Sequence, residues 1–286
     1  MDGLRVKTRG RLRIGLLIGL LVLFALGAWA LIIEPNRLVL HTEQIGLSSW
    51  PTQLDHLSIA AIGDIHAGSS FINVDKLRQI VRLTNDQHPD LIVLLGDYVV
   101  RDRFYRSPVP PEVSADVLKD LRAPLGVYAV LGNHDWWFDG HRVRRAFEGV
   151  GIKVLENDVA EVHKGQQALW LAGLADLWTR PQDISGTLDK VPVGAPIIAL
   201  THNPDIFAHL SPRVNLLLAA HTHGGQVNLP IVGRLIVPST YGQKYAAGLI
   251  EENGRHLFVT TGIGTSILPV RFGVPPEIAL VIVRAQ

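Results

Sequence analysis

Leu57-Ser58-Ile59-Ala60-Ala61-Ile62-Gly63-Asp64-Ile65-His66 is a short apolar run that stops at a glycine, a carboxylate and an imidazole. A run of this length and composition reads as a buried strand, and its ending delivers potential metal ligands. The construction recurs. Leu91–Leu95 ends in Gly96-Asp97, Val127–Leu131 in Gly132-Asn133-His134-Asp135, Ile197–Leu200 in Thr201-His202, and Leu216–Ala220 in His221-Thr222-His223-Gly224-Gly225. In layered α/β folds the carboxyl ends of neighbouring strands line one crevice, so residues remote in sequence meet there. Each fragment alone is common. Together, Asp64, His66, Asp97, Asn133, His202, His221 and His223 form a mixed nitrogen and oxygen set, too many ligands for one zinc site and suited to two metals. The chain has no cysteine, which excludes disulfides, zinc thiolates and a cysteine nucleophile.

Between these strands, Asn73 is placed to cap a helix whose Val74, Leu77, Ile80, Val81 and Thr84 share a face before Pro89. Further helices are expected at Glu112–Leu121 and near Gly140–Phe147. Later the pattern turns to hairpins: Ala160–His163 with Ala168–Ala172, and Tyr245–Glu251 with His256–Thr261. Glu277–Val283 reads as a last strand, and Tyr98–Pro111 as a loop without regular structure. Strands alternating with helices, then hairpins, predict an α/β layered sandwich in one domain.

The amino-terminal part has a different character. Ile14–Ile33 is uncharged over about the 20 residues that a helix needs to cross a bilayer. Arg5, Lys7, Arg9, Arg11 and Arg13 precede it, whereas Arg37 stands against Glu34 and Glu43 after it. The positive-inside rule places the basic leader 1–13 in the cytoplasm, the span at 14–33, and the domain 34–286 in the periplasm or outside the cell. Ala28-Trp29-Ala30 offers the competing reading of a cleaved signal peptide, and a buried core helix is a third. Lys and Arg total 27 against 26 Asp and Glu, a net charge of +1. That balance carries no overall signature of nucleic-acid binding, and no nucleic-acid partner is expected.

The order Asp-x-His, Gly-Asp, Gly-Asn-His-Asp, His, then His-x-His resembles the calcineurin-like metallophosphoesterases, from Asp64 almost to the carboxyl terminus. His221–Gln226 and Arg271–Glu277 are similar to the membrane-associated bacterial phosphodiesterases of that family. The resemblance implies an α-β-β-α sandwich with a dinuclear metal site at the strand ends. It implies one metal on Asp64, His66, Asp97 and His223 and a second on Asp97, Asn133, His202 and His221. Manganese or iron is favoured, with zinc an alternative. It further implies hydrolysis of a phosphate ester or anhydride by a hydroxide bridging two cations, and the membrane anchor, by holding the domain next to lipid, makes a lipid-linked or cell-envelope phosphate the expected substrate. His134 would protonate the leaving oxygen and Asp135 would orient it. A UDP-diacylglucosamine-type pyrophosphatase, a protein phosphatase and a non-catalytic metal-binding scaffold are the competing functions. Two positions depart from the family pattern: Gly63 stands where serine is frequent and Ala220 where glycine is usual.

Other residues have two readings. Trp136, Trp137 and Phe138 could shape a pocket, touch the membrane or pack in the core. Arg101, Arg103, Arg106 and Arg271 could meet phosphate or serve structure. Gly224 and Gly225 suit close backbone approach near the metals. His41, His56, His88, His163, His209 and His256 read as surface or satisfied core.

Overall fold

The computed structural model describes residues 2–100 and 108–286, with side chains from Arg13 onward, so Arg101, Arg103 and Arg106 lie outside the described residues. Helix α1 (Asp2–Ala28) continues through a π turn (Trp29–Ile33) and a 3-10 turn (Glu34–Asn36). The stretch Arg13–Asn36 is long and apolar enough to cross a membrane, and its most apolar window is 0% buried. It is therefore not the core helix of the domain.

Two six-stranded sheets follow. The first runs β1 (Val39–Leu47), β14 (Glu277–Ala285), β2 (Leu57–Ile62), β3 (Leu91–Leu95), β4 (Val127–Val130), β5 (Lys153–Val154). The second runs β12 (Gly248–Glu252), β13 (Arg255–Val259), β9 (Leu216–Ala219), β8 (Ile197–Leu200), β7 (Gln167–Gly173), β6 (Asp158–Lys164). From β2 to β5 the pairing is parallel, as it is along β7-β8-β9-β13. Parallel strands must be covered on both faces, and alternate residues show the two coverings. Ile59, Val93 and Leu95 pack against Leu171, Ile198, Leu200 and Leu218 between the sheets. Ala60, Ile62, Ile92 and Leu94 pack outward, with Leu77 and Ile80 of α2 (Val74–Asn85) and Val143 and Phe147 of α4 (Asn133–Glu148). Also on this face is α3 (Pro111–Leu118). Beneath the second sheet lie α5 (Ile184–Leu188) and the 3-10 turn Pro204–His209. The result is the expected α-β-β-α sandwich.

Three elements differ from the sequence reading. Strand β1 had no apolar run to announce it, because it is an edge strand in which half-buried and exposed positions alternate. Helix α3 stops at Leu118, short of Leu121. Helix α4 begins at Asn133, ahead of the expected segment, because Gly132 is its N-cap and Asp135 closes a capping box on the Gly132 N–H; non-helical backbone at Asp139 kinks it, and the helix expected from about Gly140 is its second half. The Gly-Asn-His-Asp motif is thus a helix start.

The two departures from the family pattern meet across the sheets. Gly63 follows β2 in one sheet and Ala220 follows β9 in the other, and a Cβ built on Gly63 would stand 2.5 Å from the Ala220 Cβ. The missing side chain at one position makes room for the added one at the other, where the strand ends bring their ligands together. Ala220 is not among the residues with positive φ, so its Cβ carries no backbone strain. Gly63→Ser is expected to lose about 1–3 kcal/mol by overpacking, and Gly63→Ser with Ala220→Gly to regain most of it. A double-mutant cycle by chemical denaturation measures the coupling; additive effects would show that these two strand ends do not touch.

Candidate metal centre

Each strand end turns sharply into the crevice. Asp64, His66, Asp97, His221 and His223 all have positive φ, between 48° and 74°. This left-handed region is unfavourable for residues with a Cβ and is kept only where the surroundings over-determine it. Here it swings the side chain out of the strand line and into the space between the sheets. The first sheet supplies Asp64, His66, Asp97 and Asn133, and the second His202, His221 and His223. All seven are buried, at 5% exposure or less.

Their donor atoms form two groups that meet at Asp97. In one, His66 Nε2 stands 3.2 Å from His223 Nε2, with Asp64 completing a close cluster. In the other, His202 Nε2 lies 3.1 Å from both Asn133 Oδ1 and His221 Nδ1 and 3.3 Å from Asp97 Oδ2. Asp97 Oδ2 is also 3.6 Å from His66 Nε2. His202 Nδ1 is 2.8 Å from Leu95 O, a carbonyl that can only accept, so Nδ1 carries the proton and Nε2 presents a lone pair. That lone pair faces three other electron-rich atoms, an arrangement that needs a positive charge between them. Two nitrogens at ~2.1 Å from a shared cation, at tetrahedral or octahedral angles, stand roughly 3.0–3.4 Å apart, as these do. Asp64 Oδ2, in the same cluster, is buried without a hydrogen-bond partner. The donor set fits divalent cations.

Burial pushes Asp64 up to about 7 and holds His66 and His221 down to about 3 as neutral rings. Burial also opposes charge on His202, but the Asp97 and Asp64 carboxylates outweigh it and push its pKa up to about 10.

Two further buried charges hold the backbone of the site. Asp135 accepts from the N–H groups of Asp97, Tyr98, Val99 and Gly132 at 2.8–3.3 Å. The structure gives it no hydrogen bond to His134, so the orienting role expected for it is corrected: its carboxylate fixes the Asp97 turn. Gly132 is needed beside it, since a Cβ there would fall 2.2 Å from Asp97 Oδ1. Arg271, 0% exposed, donates to the carbonyls of Thr261, Gly262, Gly264 and Val274. Gly264 N–H in turn donates to Asp64 O at 2.6 Å. Of its two readings, the structural one holds.

His134 sits at the mouth, half-buried. Its backbone N–H donates to Asp97 Oδ1 at 2.8 Å, its Nδ1 has no partner, and its ring meets His66 edge-on at 4.7 Å. Trp137, 42% exposed, lies 5.1 Å from His134, and Trp178, 49% exposed, lies 4.3 Å from His221. Trp136 instead packs inward and donates to Glu156, and Phe138 is exposed with Arg142 over its ring. Sequence reasoning missed Trp178 and the buried Asp176, whose Oδ2 accepts from Trp178 N and from Thr179. The signal was available: Asp176 follows β7 as the ligands follow their strands. His56, His88, His163, His209 and His141 are exposed.

The sequence model of the calcineurin-like phosphoesterases matches residues 57–225, a span holding every one of these ligands. The chain belongs to that family. It is 31% identical to the metallophosphoesterase YkuE of Bacillus subtilis (strain 168) over 88% of this chain and 87% of the relative. It is 31% identical to phosphodiesterase YaeI of Escherichia coli (strain K12), over 78% and 80%. With the UDP-2,3-diacylglucosamine pyrophosphatase LpxG of Chlamydia trachomatis it shares 27% identity, over 88% and 91%. The protein is a phosphoester hydrolase, and family and donor set together imply divalent metals.

Asp135→Asn turns an amide N–H₂ toward backbone donors and removes the charge that they serve. It is expected to destabilise the fold by about 2–3 kcal/mol and to lower bound metal, read by thermal denaturation and elemental analysis. Unchanged metal content would show that the Asp97 turn stands without it. A second prediction concerns Glu277, which accepts from Thr260 Oγ1 and Thr261 N beside the same loop and pairs with His41 at 3.0 Å. The pair raises the His41 pKa above 6.5 and lowers that of Glu277 below 4.5. The His41 contribution is present below pH 6.5 and lost as pH rises through the folded value; that of Glu277 is present above pH 4.5 and lost on acidification. His41→Ala should therefore cost more stability at pH 5.5 than at pH 8.5, and an equal cost at both would exclude the ion pair.

Proposed function

We propose that this is a single-pass membrane phosphodiesterase with a dinuclear centre, acting on a lipid-linked or cell-envelope phosphate outside the cytoplasm. The division is a basic leader 1–13, a span 14–33 and a catalytic domain 34–286. The observation that carries the reading is the pair of donor groups joined at Asp97. Asp64, His66, Asp97 and His223 would hold one cation, and Asp97, Asn133, His202 and His221 the other, with manganese or iron favoured and zinc the alternative. When bound, two such cations supply Lewis-acid activation of water and neutralise phosphate charge.

The remaining work belongs to the chain. Asp135 and Arg271 fix the turns that aim the ligands, and the sheets exclude water from all but the mouth. His134, beside Asp97 with a free Nδ1, is the group placed to give a proton to the departing oxygen. Trp137 and Trp178 flank the mouth and suit the apolar or ring part of a substrate next to its phosphate. The LpxG relative supports a second reading, in which the bond cut is a phosphoanhydride; the outward orientation given by the basic leader weighs against a cytoplasmic precursor.

His134→Ala is expected to lower kcat by about 10²–10⁴-fold on a diester with a poor leaving group, and much less on bis(p-nitrophenyl) phosphate, whose leaving group needs no proton. Metal content should stay the same. Preference for p-nitrophenyl phosphate over the diester would overturn the phosphodiesterase assignment. For orientation, the absence of cysteine makes Val193→Cys, at a site 96% exposed, a single reporter. It should react with an impermeant maleimide from the outer face of spheroplasts; protection until lysis would reverse the topology.

A further inference from the structure

We propose that the domain also dips into the bilayer through an apolar surface beside the metal centre, formed by the tips of two loops. The first tip is the hairpin of β10 (Asn228–Leu229) and β11 (Gly233–Arg234) with the residues after it. Ile231, Val232, Leu235 and Ile236 there are 109%, 59%, 64% and 78% exposed. The second is the loop before Arg271, where Ile267 and Leu268 are 76% and 62% exposed. Gln226 stitches the two together, donating from Nε2 to Leu268 O and accepting at Oε1 from Ser266 N. Asn228 N–H adds a bond to Phe272 O. Six large aliphatic side chains on one surface form a patch of the kind that marks an interaction site. Ile231 and Ile267 also have positive φ, 71° and 63°. A β-branched residue is strained there, and in both cases the residue at the tip is held outward into solvent.

A lipid bilayer is the occupant because of where this surface sits. Arg271 N–H donates to Ala30 O at 3.0 Å, and Gly27, Ala28 and Ala30 are half-buried where their neighbours on the helix are exposed. The second loop is thus fastened to the helix inside its uncharged run. Ala30 lies three residues before Ile33, at ~1.5 Å per residue roughly 5 Å below the end of that run. Ile267 and Leu268, four and three residues before Arg271, stand at the boundary depth at which aliphatic side chains insert. The single charged residue of the hairpin, Arg234, points its Nε back to Gly224 O, away from the apolar tip. Gly224 in turn packs under Val274, whose N–H donates to Glu34 at the helix exit. The His223-Gly224-Gly225 ligand loop therefore lies between the metal centre and the immersed tips. A substrate phosphate could pass from the lipid surface to the metals without leaving the protein. This last consequence rests on the phosphodiesterase reading, and the immersion on the membrane span proposed above.

The test uses the full chain in nanodiscs of phosphatidylethanolamine and phosphatidylglycerol. Ile231→Cys, Ile236→Cys, Ile267→Cys and Leu268→Cys are each labelled with an environment-sensitive fluorophore, and Val193→Cys is the control. Blue-shifted emission at the four tips, quenched by lipids spin-labelled high on the acyl chain and absent at Val193, is the expected result. Quenching at the tips no greater than at Val193 overturns the proposal. So does quenching by a spin-labelled second copy in place of lipid, which would make the patch a self-association surface. In parallel, Ile267→Asp with Leu268→Asp should lower turnover of a phosphodiester lipid held in the bilayer by about tenfold or more and leave turnover of soluble bis(p-nitrophenyl) phosphate unchanged. Lipid quenching at the tips with no hydrolysis of either substrate by the wild type would sink the phosphodiesterase reading and leave the immersed surface standing.

Discussion

Two buried charges that no ligand or substrate needs to touch hold this molecule's site together. The Asp135 carboxylate accepts four backbone N–H groups around Asp97, and the Arg271 guanidinium donates to four backbone carbonyls around the loop that backs Asp64. A buried ion is costly unless its hydrogen-bonding capacity is filled. Here it is filled by peptide groups of the turns that carry the metal ligands. The charges and the turns are therefore each other's condition. Asp64 and Asp97 can hold positive φ because their flanking peptide groups are fixed, and those peptide groups can be buried because an ion satisfies them.

The same logic extends across the two sheets. Carboxylate and amide ligands come from the first sheet with one histidine, and the remaining three histidines come from the second. The centre is therefore a seam, and its geometry depends on how closely the strand ends approach. Gly63 against Ala220 sets that approach at one point, and His202 Nδ1 on Leu95 O sets it at another. The second contact also fixes which nitrogen of His202 is free. A cation held by ligands from both sheets would tie them together, so metal binding and sheet apposition stabilise the same arrangement.

How much of this the sequence revealed follows from what each feature depends on. Buried parallel strands are continuous apolar runs, so β2, β3, β8 and β9 could be read with their ends, and the ends carried the ligands. Edge strand β1, with His41, Thr42, Glu43 and Gln44 in its middle, had no such run and takes its place from pairing with β14. Gly132-Asn133-His134-Asp135 looked like a loop because Gly and Asn favour turns, yet tertiary bonds from Asp135 make it the first turn of α4. Asp135 and Arg271 act on backbone groups, and nothing in a side-chain pattern reports a backbone partner. The complementarity of Gly63 and Ala220 is a relation between positions in different sheets, and each looked like an isolated departure until the two were brought face to face.

The junction between helix and domain limits how the enzyme can meet its substrate. A flexible tether would raise the local concentration of the domain near the membrane without orienting it. This junction is short and stiff. Only Arg37 and Leu38 separate the 3-10 turn from β1, and Glu34, 2% exposed, accepts from Trp29 Nε1 on one side and Val274 N on the other. Arg271 ties the helix backbone to the loop that backs Asp64. From the helix to a ligand the path is Ala30, Arg271, Gly264, Asp64, each step a hydrogen bond. Swinging the domain away from the helix would break the bonds that shape the Asp64 turn. Orientation of the domain on its helix and geometry of the metal centre are consequently one structural property, and with the helix in a bilayer, as proposed, a substrate presented at that surface would meet the mouth in a fixed attitude.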